Sequence, residues 1–297
     1  MSLSPIGFVG LGIMGKPMAK NLIDAGYSLT VFDLNQAAVD ELVSFGAKKA
    51  SSGRDISESS SYIITMVPDS ADSEKAILGN NGILEGTSAG KTIIDMSSIA
   101  PGMSQKIAVM CENNGVNFID APVSGGEPKA IDGSLAIMVG GKQNIFEECK
   151  PILEILGGSV VLCGDYGAGN TTKLANQIIV AANIEAVAEA LVLAKKAGLD
   201  PNIVFNAIKG GLAGSTVLNA KAPMMIKGDF NPGFRIKLHQ KDLHNALLTG
   251  KDLGVPLPVT SLVQQMIGSL MNKGKGELDH SAIANFLEDM AQIDIKD

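Results

Sequence analysis

The chain contains no tryptophan, and only 4% of its residues are aromatic. Cysteine and histidine are equally scarce, at three each. Cys111, Cys149 and Cys163 are far apart and odd in number, which excludes a disulfide framework and offers no metal-ligand spacing. His239 and His244 are five apart on an expected helix, a poor spacing for one shared metal, and His280 is remote, so no metal is expected. Lys and Arg total 24 against 31 Asp and Glu, a net charge of -7. No basic cluster breaks that balance. A nucleic-acid surface needs one, so no nucleic-acid partner is expected. The first five residues lack the charged region and cleavage site of a secretory signal. The apolar run 6–14 holds three glycines and is too short to span a bilayer. These absences describe a soluble protein of a reducing compartment, expected in the cytoplasm and without a membrane partner.

What the chain has in quantity is glycine, 34 residues in 297. Such a chain relies on tight turns and close backbone approaches. Its length suggests two domains. Short apolar runs read as buried strands at 5–9, 28–32, 62–67, 91–96, 117–121, 134–139 and 159–163. Helical spacing fills 13–25 and 37–45, and Pro101 opens another helix. Alternating strands and helices imply a doubly wound parallel sheet, an α/β domain over 1–164. No convincing strand follows. Residues 165–297 read as an all-α domain, with helices at 170–197, 201–209, 215–227, 235–253, 258–271 and 280–293. The first of these lacks Gly and Pro and would run roughly 40 Å. It is apolar nearly all round after Gln177, the pattern of a buried helix joining the two domains. No internal repeat or low-complexity linker interrupts the chain.

Gly10-Leu11-Gly12-Ile13-Met14-Gly15 lies between the first strand and the first helix. In a dinucleotide-binding turn the first glycine permits the sharp bend, the second admits the pyrophosphate, and the third lets helix and strand pack closely. The helix N-terminus then offers N–H groups to phosphate. Asp33 ends the second strand, where a carboxylate accepts from ribose hydroxyls and repels a 2′-phosphate. The turn by itself suits FAD as well; with Asp33, NAD is the expected cofactor, with NADP possible. A helix N-cap is the plainer role for Asp33. Met66, Val67 and Pro68, and the pair Ser97-Ser98, follow strands of the same sheet. Ligands lie beyond such strand ends, so both loops are expected cofactor contacts, with Ser98 the named residue of the pair.

Ser124, Gly125 and Gly126 follow a strand and can bind an anion through hydroxyl and N–H groups; a plain loop with a proline and two turn glycines is the other reading of the same spacing. Lys173, Asn176 and Gln177 stand at i, i+3 and i+4 at the start of the long helix, on one face. A lone lysine usually snorkels to solvent. Three hydrogen-bonding groups on one face beside a glycine-rich entry instead suggest a ligand that satisfies them. A protonated lysine suits carbonyl reduction, since it stabilises the oxyanion left by hydride delivery and protonates it. A non-catalytic nucleotide sensor would have no use for this cluster.

These motifs resemble those of the β-hydroxyacid dehydrogenases, the group that includes 3-hydroxyisobutyrate and 6-phosphogluconate dehydrogenases. The likeness runs from Ile6 to about Met290. The turn at 8–15 resembles the family's cofactor turn, 120–126 its substrate segment, and 169–177 its catalytic segment, with Lys173 in the place of the catalytic lysine. Lys241-Asp242-Leu243 resembles a late element whose lysine lies near cofactor and substrate. The family usually has asparagine four residues after the lysine. Here Gln177 holds that position and Asn176 precedes it, so both are candidates to orient substrate. Residues 124–133 and 209–218 resemble more closely the branch that reduces tartronate semialdehyde. The resemblance implies NAD(P)H-dependent reduction of a small semialdehyde to a hydroxy acid. It also implies an all-α second domain and a homodimer or homotetramer.

Overall fold

The computed structural model describes residues 3–296. Met1, Ser2 and Asp297, the outermost residues of the two expected domains, lie outside them. The chain divides into two compact units, the first ending at Lys173 and the second beginning at Leu174.

The first unit alternates strand and helix through β1 (Ile6–Val9), α1 (Gly15–Asp24), β2 (Leu29–Phe32), α2 (Gln36–Ser44), β3 (Lys48–Lys49), α3 (Gly53–Ser59) and β4 (Tyr62–Thr65). It continues with α4 (Ser70–Leu78), α5 (Ile83–Gly86), β5 (Thr92–Asp95), α6 (Pro101–Asn113), β6 (Asn117–Asp120) and β7 (Val123–Ser124). Then come α7 (Gly126–Ile131), β8 (Leu135–Gly140), α8 (Gln143–Leu156) and β9 (Gly157–Gly164). Among the described residues the strands form one sheet in the order β3-β2-β1-β4-β5-β6-β8-β7, with β9 on the other side of β8.

The α/β expectation holds, and the six strands from β3 to β6 are parallel. The purely parallel sheet does not hold. β8 runs antiparallel to β6 and β7, and β9 follows β8 in parallel. Connection length is the reason. A parallel return needs a dozen or more residues. Only the six-residue α7 separates β7 from β8, whereas the 14-residue α8 separates β8 from β9.

Successive side chains of the central strands point to opposite faces of the sheet. Ile64, Ile94 and Ile119 join Phe8, Met18 and Leu22 in one core. Ile63, Ile93 and Phe118 join Ile56, Ile77 and Ile107 in the other. Both faces are buried, which is why these strands read as continuous apolar runs. Each fully buried Ile or Phe contributes about 1.5–3 kcal/mol. Cys111 and Cys149 belong to these cores, and burial pushes both thiols up to about 12. Such thiols are inert packing groups.

Helix α9 (Ala168–Lys196) supplies the last turns of the first unit and continues into the second. The second unit adds α10 (Pro201–Ile208), α11 (Thr216–Lys227), α12 (Ile236–Leu253), α13 (Pro258–Asn272), a 3-10 turn at His280–Ile283, and α14 (Ala284–Ala291). It is all-helical, as expected. Its core gathers Ile184, Leu191, Leu218, Met225, Leu243, Ile267 and Ile283. By length and composition α9 is apolar enough to cross a membrane. It is not buried all round, however. Ile179 is 62% and Leu193 72% exposed, while Ala181, Ile184, Ala188 and Leu191 face the core.

The start of α9 is held by the end of β6. The Asp120 carboxylate accepts the N–H of Gly167 at 2.8 Å and that of Asn170 at 2.8 Å, through one oxygen each. The helix backbone lies so close that a Cβ on Gly169 would come within 2.4 Å of the Met138 carbonyl oxygen. Burial pushes the Asp120 carboxyl up to about 6, against the two N–H bonds that favour its anion. A carboxyl raised above its unfolded value favours folding fully below that value, near 3.8, and the contribution is lost as pH rises through about 6. In Asp120→Asn this titration is gone, so the thermal midpoint should vary less than wild type's between about pH 4 and 7. Asn also presents one acceptor and a misplaced donor, so urea unfolding at pH 7 should show a loss of about 1–3 kcal/mol. A wild-type pH dependence in the variant would rule this account out.

Candidate active site

The parallel register places the strand ends in one row. Phe32 pairs with Val9, Val9 with Thr65, Thr65 with Asp95, and Asp95 with Asp120. The segments that follow therefore leave the same edge of the sheet, beyond its carboxyl ends, where ligands of such folds bind. These segments carry Gly10–Gly15, Asp33, Met66–Pro68, Ser97–Ser98 and, just past β6, Ser124–Gly126.

In the glycine turn each glycine has a separate reason. Gly10 has φ +94°, and a Cβ there would meet the Met66 carbonyl oxygen at 2.3 Å. A Cβ on Gly15 would lie 1.9 Å from the Gly10 carbonyl oxygen. At Gly12 a Cβ would meet nothing within 4 Å. Gly10 and Gly15 thus serve the fold, and Gly12 leaves open space beside the backbone. Leu11 is buried, Gly12 and Ile13 are exposed, and Met14 is the N-cap of α1. That helix has no side-chain cap and no acidic residue in its first turn. The cradle and the uncapped helix start fit a pyrophosphate.

Asp33 is not the cap of α2. Asn35 is, accepting the Ala37 N–H. One Asp33 oxygen accepts the N–H of Leu11 at 2.6 Å and the other that of Asn35 at 2.6 Å. This carboxylate therefore ties the glycine turn to the end of β2. A carboxylate has about four acceptor sites, which leaves capacity for hydroxyl donors.

A buried polar chain lies under the next two loops. Asp95 accepts from the Thr65 hydroxyl at 2.9 Å and from the Ser97 N–H at 3.0 Å. Ser97 Oγ in turn accepts the Val67 N–H at 2.9 Å. Burial pushes the Asp95 carboxyl up, opposed by these hydroxyl and N–H donors. Ser97 is thus buried in the scaffold, while Ser98, Met66 and Val67 are half-exposed and Pro68 is exposed.

Lys173, on α9, is 5% exposed and does not snorkel to solvent. Gln177 is equally buried and Asn176 only half so. Gln177 is fully engaged within the second unit. Its side-chain oxygen Oε1 accepts from the Asn176 side-chain amide at 2.8 Å, and its own Nε2 donates to Asp242 at 2.6 Å. Asp242 is 2% exposed and Lys241 lies 3.2 Å from its other oxygen. The Lys-Asp-Leu element is thus a buried carboxylate with a partly exposed lysine.

His239 pairs not with His244 but with His280, Nδ1 to Nδ1 at 2.9 Å. Its Nε2 lies 3.2 Å from the backbone carbonyl oxygen of Gln177, a pure acceptor, so Nε2 carries a proton. This pairing crosses 41 residues of sequence and had no local signal. Asp95, Asp120 and Thr65 were legible in hindsight. Each is a polar residue that closes a four-residue strand after two apolar residues, as IIT, IID or FID.

A glycine cradle beyond a parallel sheet, with a buried lysine on the helix that follows, defines an NAD(P)-dependent oxidoreductase. Comparison with known proteins places it further. Residues 5–164 match the NAD binding domain of 6-phosphogluconate dehydrogenase. Residues 167–287 match the NAD-binding domain of NADP-dependent 3-hydroxyisobutyrate dehydrogenase. The chain is 48% identical over 286 residues to 2-hydroxy-3-oxopropionate reductase of Escherichia coli (strain K12), covering 96% of this chain and 98% of that protein. It is 38% identical over 291 residues to 2-(hydroxymethyl)glutarate dehydrogenase of Eubacterium barkeri, covering 98% and 97% of the two chains. The solved structure of Mycobacterium tuberculosis 3-hydroxyisobutyrate dehydrogenase with L-serine superposes with a TM-score of 0.89 at 30% identity, covering 96% of this chain and 99% of that one. The chain belongs to the 3-hydroxyisobutyrate dehydrogenase family of NAD(P)-dependent hydroxyacid dehydrogenases.

The glycine geometry separates two variants. Gly15→Ala should cost about 1–3 kcal/mol or more in urea unfolding, because the added carbon overlaps backbone. Gly12→Ala should leave the urea midpoint undiminished while weakening NADH binding about tenfold, roughly 1.4 kcal/mol, by fluorescence titration. Unchanged NADH affinity in Gly12→Ala would place the dinucleotide elsewhere.

Proposed function

We propose that this protein reduces tartronate semialdehyde (2-hydroxy-3-oxopropionate) to D-glycerate with NADH, and that Lys173 is the proton donor. The observation that carries the chemistry is the burial of Lys173 at the entry of α9, since an ammonium held out of bulk water stabilises a developing oxyanion more strongly than an exposed one. The choice of substrate is supported by the 48% identity to the Escherichia coli reductase over nearly the whole chain.

When bound, NADH supplies a hydride to the carbonyl carbon. The chain's residues do the rest. The Lys173 ammonium hydrogen-bonds the carbonyl oxygen, stabilises the charge that develops there and passes it a proton, leaving a neutral amine to be reprotonated from solvent. Ser124, with the N–H groups of Gly125 and Gly126, holds the substrate carboxylate. Asn176 and Gln177 orient the reacting groups. Gln177 acts through its bond to Asp242, and the half-exposed Asn176 has an uncommitted carbonyl in that pair. Gly10, Leu11, Gly12, Ile13, Met14, Gly15, Asp33, Met66, Val67, Pro68, Ser98 and Lys241 contact the cofactor. In this reading 1–164 is the cofactor domain and 165–297 the substrate and oligomerisation domain of a soluble cytoplasmic homodimer or homotetramer. The exposed apolar side of α9, with Ile179 and Leu193, is consistent with a subunit interface.

The likeness to 3-hydroxyisobutyrate dehydrogenase favours a second substrate, 3-hydroxyisobutyrate, with the same chemistry. The test is kcat/KM for tartronate semialdehyde, 3-hydroxyisobutyrate, 4-hydroxybutyrate, glyoxylate and succinic semialdehyde. Tartronate semialdehyde should lead, and leadership by another compound would overturn the assignment. Lys173→Ala should lower turnover by about 10²–10⁴-fold, the usual worth of a general acid, with NADH affinity retained. Full turnover in that variant would remove Lys173 from the role. Wild type should prefer NADH over NADPH, and Asp33→Ala should narrow or reverse that preference by roughly tenfold, about 1.4 kcal/mol. A wild type that prefers NADPH contradicts the role given to Asp33.

A further inference from the structure

We infer that Asn170 is a positioning residue that sets Lys173 in register with the cofactor loops, an inference that rests on the reading of Lys173 as proton donor. Asn170 is 1% exposed and stands one helical turn before Lys173 on α9. Its polar groups reach three separate elements. Its N–H donates to Asp120 at the end of β6, at 2.8 Å. Its side-chain oxygen accepts the Ile99 N–H in the loop after β5, at 3.0 Å. Its side-chain nitrogen donates to Ser104 Oγ on α6, at 3.0 Å.

Ile99 belongs to the same loop as Ser97 and Ser98. Ser97 is fastened to Asp95, and its hydroxyl receives the Val67 N–H of the neighbouring loop. A continuous chain of hydrogen bonds and two short backbone steps, buried at Ser97, Ile99 and Asn170, therefore runs from Val67 through Ser97 and Ile99 to Asn170. The helix turn bearing Lys173 follows directly. Both loops leave the strand ends beside the glycine turn, so the chain links the expected cofactor contacts to the proton donor. Hydride transfer demands that the carbonyl be held between the two. Displacement of a reacting group by about 1 Å can cost on the order of 100-fold in rate. A residue tied at three points, by its backbone N–H to β6 and by its side-chain amide to the loop after β5 and to α6, fixes both the rotation and the rise of the α9 start. Asp120 alone, bonded only to backbone N–H groups, fixes where the helix begins.

The test compares Asn170→Ala in the wild-type and Lys173→Ala backgrounds. NADH affinity is read by fluorescence, and hydride transfer by single-turnover NADH oxidation with NADH and its 4-deuterated form. In the wild-type background kcat should fall about 10- to 100-fold and the deuterium isotope effect should rise. NADH affinity should stay within about threefold, less than a tenfold or 1.4 kcal/mol change. In the Lys173→Ala background the further loss should be under about twofold, because residues acting through one another are non-additive. Should Asn170→Ala not fold, Ser104→Ala removes one of the three tethers with little volume change. It should give a smaller fall in kcat that also vanishes without Lys173. Equal losses in both backgrounds, or wild-type kcat in both variants, overturn the inference. Full turnover in Lys173→Ala itself removes the proton-donor reading, and this inference with it.

Discussion

The arrangement of the first unit turns on one interaction, the grip of the Asp120 carboxylate on the first turn of α9. Asp120 is the last residue of β6, and the sheet register places it in line with Asp95, Thr65, Val9 and Phe32. By accepting N–H groups from Gly167 and Asn170 it satisfies backbone donors that a buried helix start would otherwise leave unpaired. It also sets a negative charge against the positive end of the helix dipole. Lys173 is one turn away on the same helix, so the position of the proposed proton donor derives from a strand end.

That dependence explains why the polar groups of the site are buried and yet tolerated. Thr65, Asp95, Ser97, Asp120 and Asn170 are all inaccessible to solvent. An unpaired group among them would cost several kcal/mol. Each makes at least one hydrogen bond instead, and those from Thr65 to Asp95, from Val67 to Ser97 and from Asn170 to Asp120 cross between elements. Asp33 does the same at the surface end of the row, tying the glycine turn to β2. The glycines complete the design by what they lack, since Gly10 and Gly15 permit backbone contacts that any side chain would prevent. In the second unit the logic recurs with Asp242 and Gln177, and with the paired histidines His239 and His280.

Much of this is legible in the sequence. The runs that became β1, β4, β5 and β6 are buried on both faces as expected, whereas 159–163, read as another buried strand, lies in β9 at the sheet's edge and is mostly exposed. The helices of the second unit fall within a residue or two of their expected bounds, apart from the last, which opens as a 3-10 turn. Most of what escaped was too short or too polar for periodicity to register: the two-residue β3 and β7, and α3, α4, α5 and α7. The 14-residue α8 also went unread, although its apolar spacing is regular. Helices α3 and α4 are marked less by apolar spacing than by their caps, Ser52 and Asp69. The antiparallel course of β8 also escaped, because the pattern of alternation does not record strand direction. The long helix was expected to be buried all round, yet composition says only that a helix is apolar. Which side is covered depends on its neighbours.

The sequence by itself determined the class of fold, the glycine turn, the acid after the second strand and the lysine that does not belong on an apolar helix. These follow from local spacing, because 2.0- and 3.6-residue periods and glycine's steric freedom act over a few residues. Only the tertiary structure decided what those residues hold. Asp33 serves the glycine turn rather than capping α2, Gln177 is bound to Asp242, and His239 is matched to His280 instead of its neighbour in sequence. Asn170 becomes the meeting point of β6, α6 and the loop after β5. The physical reason is that a hydrogen bond is specific in distance and direction but indifferent to separation along the chain. Its partner is therefore set by the register of the sheet and the packing of helices, which no local pattern encodes.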